Sequence, residues 1–163
     1  MREIQLTQGM VAKVDDEDYE RLSRHKWYAN KSYSVWYARR VEKLPDGKWV
    51  TIRMHREIMG AKPGQQLDHI DGNGLNNTRS NLRFATNQEN ARNRGFRSDN
   101  TSGFKGVSWN DQRGKWTAYI RLNGKQKHIG VFDSVVKAAC AYDAAALDAY
   151  GQFARLNFPL TNT

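Results

Sequence analysis

Residues 67–90 contain side chains suited to the hydrolysis of a phosphodiester bond. Asp68 and His69 are adjacent, Asn81 follows His69 by twelve residues, and Asn90 follows Asn81 by nine. A carboxylate and an amide oxygen are hard ligands for a magnesium-like ion, which prefers oxygen and keeps several waters. An imidazole, with an ordinary pKa of about 6.5, can remove a proton from an attacking water. The set therefore indicates metal-assisted hydrolysis, in which the ion stabilises charge on the phosphate and on the leaving oxygen.

Two short strands and a helix are needed to bring these side chains together. Asp68 and His69 end a short apolar run before a loop rich in Gly and Asn, and residues 81–84 return as a second strand. Thr86 begins a Thr-x-x-Glu capping box, which predicts a helix with Asn90 on its first full turn. The three elements would converge on one pocket. The alternative is a plain hairpin in which the loop is only turn chemistry.

This segment resembles a known nuclease motif. Residues 67–77, followed by 81–84 and 86–90, are similar to the HNH (His-Asn-His) motif of ββα-metal endonucleases, in the variant whose last His is replaced by Asn. The resemblance covers about residues 53–94, and similar stretches occur in homing endonucleases of phages. It implies a ββα-metal fold and cleavage of DNA.

The resemblance also implies a role for each residue of the motif. Asp68 and Asn90 would bind one divalent metal, with magnesium expected and manganese as the alternative. His69 would be the general base, and the side chain of Asn81 would hold the loop between the strands so that His69 is correctly aimed. A degenerate copy of the motif that does not cleave is the competing hypothesis.

The rest of residues 1–94 is expected to form short strands and two brief helices. Pro45-Asp46-Gly47-Lys48 is a turn sequence between two strand-like runs, which predicts a β-hairpin. Acidic residues crowd the first turn of the first helix, where the helix dipole favours them; a metal site is the alternative explanation. The expected elements are a strand at 11–14, helices at 15–23 and 55–59, and hairpin strands at 36–44 and 49–54.

Positive charge is concentrated in residues 91–130. These residues have nine Lys and Arg side chains and two Asp, a net +7 of the chain's +9. Interleaved aromatic residues favour nucleic-acid binding over a merely solvated face. Turn-forming residues at 95–102 indicate a linker. The predicted DNA-binding residues are Arg92, Arg94, Arg97, Lys105, Arg113, Lys115, Tyr119, Arg121, Gln126 and His128.

After the linker, the pattern predicts three strands and one helix. Residues 115–121 alternate in polarity, and Asn123-Gly124 is a strong signal for a hairpin turn. Ser134 can cap an alanine-rich helix that runs to Tyr150, and Cys140 on this helix is expected to be a small core residue. One face of the sheet would be covered by the helix, and the other would be open for binding.

Residues 103–159 resemble the plant Apetala/ethylene-response-factor (ERF) DNA-binding domain, whose three-stranded sheet lies in the major groove. Arg121 and Tyr142 match residue types that contact DNA in that family. At four other positions the residue type differs, so the resemblance does not imply the plant target sequence, and we expect phosphate contacts instead. The four differences are Lys105 for Arg, Ser108 for Arg, Tyr119 for an acid and His128 for Trp. The matching segments are 104–107, 114–121, 129–133, 138–146 and 156–159.

Composition excludes several other classes of protein. No stretch approaches the roughly 20 apolar residues of a membrane span, and the first residues contain no apolar run of signal-peptide length. The single cysteine excludes an intramolecular disulfide and a cysteine-based zinc site. This composition leads us to expect an intracellular protein without a membrane partner. The resemblance to phage endonucleases implies a phage-encoded protein in the cytoplasm of a bacterial host.

The sequence thus predicts an α+β protein with two domains. A ββα-metal nuclease domain with added strands would span residues 1–94, with its motif core at 67–94. A linker at 95–102 would lead to an ERF-like domain at 103–159, a three-stranded antiparallel sheet packed on one helix. The expected function is metal-dependent cleavage of double-stranded DNA by a monomer or weak dimer. The alternatives are a DNA-binding regulator with a scaffold-only motif, and an RNA-binding protein, which the ERF-like sheet disfavours.

Overall fold

The computed structural model describes residues 1–96 and 99–159. The chain divides into two compact units, Met1–Asn90 and a second unit that begins at Ala91. Both units combine helices with antiparallel sheets, which confirms the predicted α+β class. Arg97, one of the predicted DNA-binding residues, lies outside the described residues. In the part of the chain that the structure describes, no helix is both long and apolar enough to cross a bilayer.

The N-terminal unit is built from small sheets and short helices. Its strands form three antiparallel groups, β1-β2, β3-β4-β5 and β6-β7. The helix α3 begins in this unit. The strands are β1 (Arg2–Gln5), β2 (Val11–Val14), β3 (Tyr28–Ser32), β4 (Val35–Lys43), β5 (Trp49–Arg53), β6 (Leu67–His69) and β7 (Leu82–Phe84), and the helices are α1 (Asp16–Ser23), α2 (Met54–Ile58) and α3 (Asn87–Asn93).

The expected strand at 11–14, the hairpin and both early helices are present, with ends shifted by a residue or two. Two further strands, β1 and β3, were not anticipated. β1 is short, and β3 reads Tyr-Ala-Asn-Lys-Ser, without apolar alternation; each is a strand because a neighbour, β2 or β4, supplies the backbone partners. The apolar core beneath these sheets includes the fully buried Val14, Leu22 and Met54.

The ββα arrangement predicted for residues 67–94 is confirmed. β6 pairs antiparallel with β7, so that Asp68 faces Arg83 and His69 faces Leu82. The capping box is formed as well: the backbone N–H of Thr86 donates to Glu89 Oε2 at 2.7 Å, and Glu89 N–H donates to Thr86 Oγ1 at 3.2 Å. Both ends of the capping box are therefore satisfied, and α3 starts where the sequence indicates.

The C-terminal unit is a three-stranded antiparallel sheet with one helix, as predicted. The strand order is β10-β9-β8. Small residues of the helix, among them Ala138, Ala139 and Ala146, are fully buried against the sheet, which allows close packing of helix on sheet. The elements are β8 (Val107–Asn110), β9 (Lys115–Leu122), β10 (Lys125–Phe132) and α4 (Val135–Tyr150).

Two expectations about α4 are corrected. Cys140 is exposed, because it lies about a third of a turn away from the buried stripe that includes Ala139 and Tyr142. Tyr142, which the family resemblance places at the DNA, is 4% exposed and lies in the core. A Cβ on Gly106 would lie only 2.0 Å from its ring, so the tyrosine fills the space that this glycine leaves open.

Candidate active site and nucleic-acid interface

His69 ends β6 inside an aromatic cluster and is only 6% exposed. Its ring meets the ring of His55 edge-on, with centroids 4.9 Å apart. Tyr37 on β4 lies 5.8 Å from each of the two imidazoles. The motif histidine is therefore fixed by side chains from β4 and α2, which lie outside the ββα unit itself.

Asn77 determines which nitrogen of His69 carries the proton. Its Oδ1 lies 3.3 Å from His69 Nε2, while its Nδ2 donates to the carbonyl oxygen of Leu75 at 3.1 Å. Since the amide oxygen can only accept, Nε2 is the protonated nitrogen of the neutral ring and Nδ1 has the lone pair. Asn77 is 1% exposed, so this orientation is set by the fold.

Both histidines are neutral at physiological pH. Burial lowers the pKa of His69, although the Asn77 hydrogen bond and the nearby carboxylates of Asp71 and Asp68 oppose this effect. Burial, followed by the charges of His69 and neighbouring arginines, lowers the pKa of His55 to about 3. The His55 Nδ1 is buried without a hydrogen-bond partner among the described residues. His55 therefore packs against the ring of His69.

The side chain of Asn81 ties the polar loop together. It donates to Asp71 Oδ1 at 2.9 Å and to the Asn76 carbonyl at 2.8 Å, and it accepts from the Asp71 N–H at 3.0 Å. Burial raises the pKa of Asp71, but hydrogen bonds from Asn76, Asn73 and Asn81 lower it by more, so it lies below the ordinary value. The loop is thus closed around a charged carboxylate.

Elements far away in sequence support the same loop. The backbone of Lys13 on β2 accepts from Asn77 N–H at 2.8 Å and donates to the Leu75 carbonyl at 2.9 Å. Arg79 donates from Nε and Nη2 to the buried carboxylate of Asp18 at 2.9 and 3.0 Å. The acids of α1 lie in its first turn, as predicted, and Asp18 in addition anchors the loop.

Gly74 lets the loop approach β4 closely. A Cβ at this position would lie 2.4 Å from the Trp36 carbonyl oxygen and 2.7 Å from the Tyr37 ring. Any larger residue would displace one of them. The glycine therefore sets the distance between the loop and the tyrosine that contacts both histidines.

The two proposed metal ligands lie on opposite elements of the ββα unit. Asp68 Oδ2 accepts from Arg83 at 2.6 and 3.0 Å. Asn90 donates from Nδ2 to Gln66 Oε1 and to the Leu67 carbonyl, while its Oδ1 is buried without a partner among the described residues. A buried amide oxygen without a hydrogen-bond partner, close to the strand that carries Asp68, fits an ion that prefers oxygen ligands. In the described ranges no cluster of three His, Cys, Asp or Glu offers another metal site.

The open face of the C-terminal sheet presents the predicted polar residues together. Gln126 pairs with Arg121 and His128 pairs with Tyr119 across β9 and β10, so all four side chains share one face. The rings of Tyr119 and His128 meet edge-on at 5.3 Å. Arg121, Gln126 and His128 are exposed, so this face is accessible to a ligand.

Other predicted DNA-binding residues differ in how available they are. Arg94 and Arg113 are exposed, and Lys115 pairs with Asp133 at 3.0 Å on the surface. The guanidinium of Arg92 stacks 4.7 Å above the ring of Tyr150.

Lys105 and Asn93 are less available. The Lys105 ammonium donates to the backbone carbonyls of Arg92 and Arg94, and burial lowers its pKa to about 8. A DNA contact would require it to leave those carbonyls. Asn93 is 6% exposed, so it is buried and not solvated.

Sequence reasoning missed several residues that shape the site. Tyr37, Asn77 and Arg83 were not singled out, although the antiparallel register of a two-stranded ribbon would have placed Arg83 opposite Asp68. Tyr37 lies 32 residues before His69 in the chain, and no local pattern links the two. Long-range packing alone reveals it.

Comparison with known proteins identifies viral relatives. The model of the family described as HNH endonuclease matches residues 54–92. An uncharacterized HNH endonuclease of Acanthamoeba polyphaga mimivirus is 35% identical over 156 residues, which cover 91% of this chain and 75% of the relative. Protein 3.8 of Escherichia phage T7 is 40% identical over 92 residues, 56% of this chain and 75% of the relative.

Plant proteins match a shorter stretch. APETALA2-like protein 2 of Oryza sativa subsp. indica is 41% identical over 62 residues, which make up 38% of this chain and 14% of the plant protein. The similarity thus concerns one module of a much longer protein. It agrees with the ERF resemblance of residues 103–159.

Proposed function

Because the chain belongs to the HNH endonuclease family, we propose that it hydrolyses phosphodiester bonds of double-stranded DNA with His69 as the general base. The observation that carries this proposal is the placement of His69: the imidazole is buried at the end of β6 in a ββα unit, and its Nε2 lies 3.3 Å from Asn77 Oδ1. Burial lowers the pKa of His69, which favours the neutral ring. A neutral imidazole accepts a proton at physiological pH, which a general base must do.

The proton would be accepted at Nδ1 of His69. The hydrogen bond from Nε2 to Asn77 stabilises the imidazolium that forms, because Nε2 continues to donate while Nδ1 takes the proton from water. Burial among the rings of Tyr37 and His55 limits rotation of the imidazole. Asn81 acts one step further away, by holding the loop that contains Asn77 and Asp71.

HNH nucleases generally depend on a divalent metal, and we propose Asp68 and Asn90 as the residues that bind it. When bound, such an ion stabilises negative charge on the phosphate and on the leaving 3′ oxygen. The partnerless Oδ1 of Asn90 supports this assignment. Arg83, paired with Asp68, orients that carboxylate. Magnesium is the expected ion, and manganese the alternative.

The C-terminal sheet would position the nuclease on DNA. Its exposed face combines a cation with hydrogen-bonding and aromatic side chains, Arg121, Gln126, His128 and Tyr119, a set that can contact phosphates and base edges. Arg92, Arg94 and Arg97 would contact the phosphate backbone of the DNA, as would Arg113 and Lys115 at the sheet. The similarity to APETALA2-like protein 2 supports this role.

The similarity to Protein 3.8 of phage T7 supports a phage-encoded protein, and we propose that it acts in the cytoplasm of the host. One such active site cuts one strand, so a monomer would nick DNA, and a double-strand break would need a dimer or two encounters.

A plasmid assay tests the proposal. We expect purified full-length protein to convert supercoiled plasmid to nicked or linear DNA with magnesium or manganese, and not with EDTA. DNA ligase should reseal the nicks, because the expected ends are a 5′-phosphate and a 3′-hydroxyl. Tight binding without cleavage in either metal would instead identify a regulator that uses the motif as scaffold.

A further inference from the structure

The sheet β3-β4-β5 has one open face that neither the motif nor the ERF resemblance explains. Its other face contributes Ala29, Ala38 and Ile52 to the core. On the open face, Val41 is 49% and Trp49 67% exposed. Because paired residues of antiparallel strands share a face, the register assigns Tyr37, Arg39 and Arg53 to this same side.

Arg39 and Arg53 stand directly opposite each other on β4 and β5. Neither forms an ion pair with any described residue, and Arg39 Nε is buried without a hydrogen-bond partner there. Arg40, the neighbour on the covered face, is by contrast fully engaged: it donates from Nε and Nη2 to Glu57 at 3.1 and 3.0 Å and also contacts Glu42.

An unpaired arginine couple of this kind destabilises the fold. Like charges directly opposite on a sheet repel, and a buried guanidinium nitrogen without an acceptor loses hydration with no compensation. An anionic ligand would supply both the counter-charge and the missing acceptors. Two guanidinium groups side by side match phosphate oxygens, which they can contact with paired hydrogen bonds.

The couple lies on the same sheet face as Tyr37, which contacts the proposed catalytic histidine, His69. Tyr37 precedes Arg39 by two residues on the same face of β4 and contacts the rings of both His55 and His69. The charges of Arg53 and Arg39 are close enough to His55 to depress its pKa. Lys43 and Trp49, paired with each other further along the same face, extend the surface away from the site.

We propose that Arg39 and Arg53 form a phosphate-binding site for the backbone of the DNA strand next to the bond that is cleaved. This inference rests on the proposed function for the choice of DNA as the anion. In this arrangement the N-terminal unit contacts its substrate itself and does not depend on the C-terminal sheet alone for binding.

The test measures how DNA binding depends on salt. Full-length protein is titrated with a fluorescent 30-base-pair duplex without divalent metal, at several salt concentrations. The logarithm of the binding constant falls as log salt rises. Each lost phosphate contact makes this slope less steep by about 0.9. We expect a drop of about 0.9 for Arg53→Gln and about 1.8 for the double variant Arg39→Gln/Arg53→Gln.

Two controls distinguish the loss of a specific phosphate contact from the mere loss of a positive charge. Lys31→Gln removes a charge from the same sheet on the opposite face and should leave the slope unchanged. Arg39→Lys/Arg53→Lys retains the charge and should retain the slope. Removal of the couple should leave the melting temperature equal or higher, since repulsion is relieved. Arg53 is exposed, so the single variant is informative even if the double variant unfolds.

An unchanged slope in Arg53→Gln, or an equal drop in Lys31→Gln, would overturn the inference. Failure of the proposed function has a different signature, because the binding titration needs no cleavage. A wild-type protein that binds with the expected slope but never cuts plasmid contradicts only the nuclease proposal. A wild-type protein that cuts, while Arg53→Gln binds with the wild-type slope, contradicts only this inference.

Discussion

The N-terminal unit buries the polar side chains of its candidate active site, whereas the C-terminal unit exposes those of its open sheet face. His69, Asn77 and Asn81 are buried and have specific hydrogen-bond partners. Arg121 and Gln126 are exposed on an open sheet face. A proton acceptor needs a fixed orientation and a neutral resting state, which burial supplies, whereas attraction to phosphate needs charges that remain accessible.

The distribution of charge follows the same division. Residues 91–130 hold +7 of the net +9, while residues 1–90 hold only +3. In the first unit most arginines near the site are used internally: Arg79 binds Asp18, Arg83 binds Asp68, and Arg40 binds Glu57. Net charge therefore identifies the partner of the protein, and it does not locate the chemistry.

The largest expected effect is that of His69→Ala. Loss of a general base typically lowers the rate by about 10²–10⁴-fold, and binding to DNA should stay near wild type because the residue is buried. Plasmid cleavage and duplex binding measured in parallel check this. His25→Ala is the matched control, since His25 is an exposed histidine of the same unit; an equal loss in both variants would contradict the assignment.

Asn90→Ala should impair the response to metal. We expect the magnesium concentration for half-maximal cleavage to rise about tenfold or more, as for loss of a residue at a metal site. Asn87→Ala, an exposed asparagine on the first turn of the same helix, should leave it unchanged. A normal metal titration in Asn90→Ala would remove this residue from the metal site.

Asp18→Asn should weaken the scaffold behind the site. Burial raises the pKa of Asp18, but hydrogen bonds from Arg79 and Arg21 lower it by more, so it lies below its ordinary 3.8. The ionised carboxylate therefore stabilises the fold above that pH, and this contribution is lost as the pH falls through the lowered pKa. We expect a loss of about 2 kcal/mol at pH 7.

The difference in stability between Asp18→Asn and wild type should shrink as the pH falls below 3.8. Urea unfolding across pH measures it, with Asp16→Asn, an exposed acid of the same helix, as the control. A difference that does not change with pH would show that the ion pair with Arg79 is not its source.

The smallest effect is expected in the C-terminal sheet. Arg121→Gln should lower the salt slope of DNA binding by about 0.9, the value for one phosphate contact. Lys105→Gln should leave the slope near wild type, because its ammonium is bound to backbone carbonyls, and should lower the melting temperature instead. The reverse result would place the DNA contact at Lys105.

Much of this architecture could be predicted because local rules specify it. A capping box starts α3, Asn123-Gly124 closes the β9-β10 hairpin, and alanines allow α4 to pack on its sheet. Long-range contacts could not be predicted. The pairing of Asp18 with Arg79 spans 61 residues. The contact of Tyr37 with His69 requires β4 to pack against the ββα unit, and no local pattern in the sequence indicates that packing.

The central claim is that His69 of the N-terminal unit acts in catalysis and that Arg121 of the C-terminal sheet acts in binding. Single-turnover cleavage at saturating protein tests it most directly. The measurement compares wild type, His69→Ala and Arg121→Gln on the same supercoiled plasmid with magnesium. We expect Arg121→Gln to reach the wild-type rate once enough protein is added, while His69→Ala stays at least about 100-fold slower at every concentration. A His69→Ala protein that approaches the wild-type rate, or an Arg121→Gln protein that stays slow at saturation, would contradict the account.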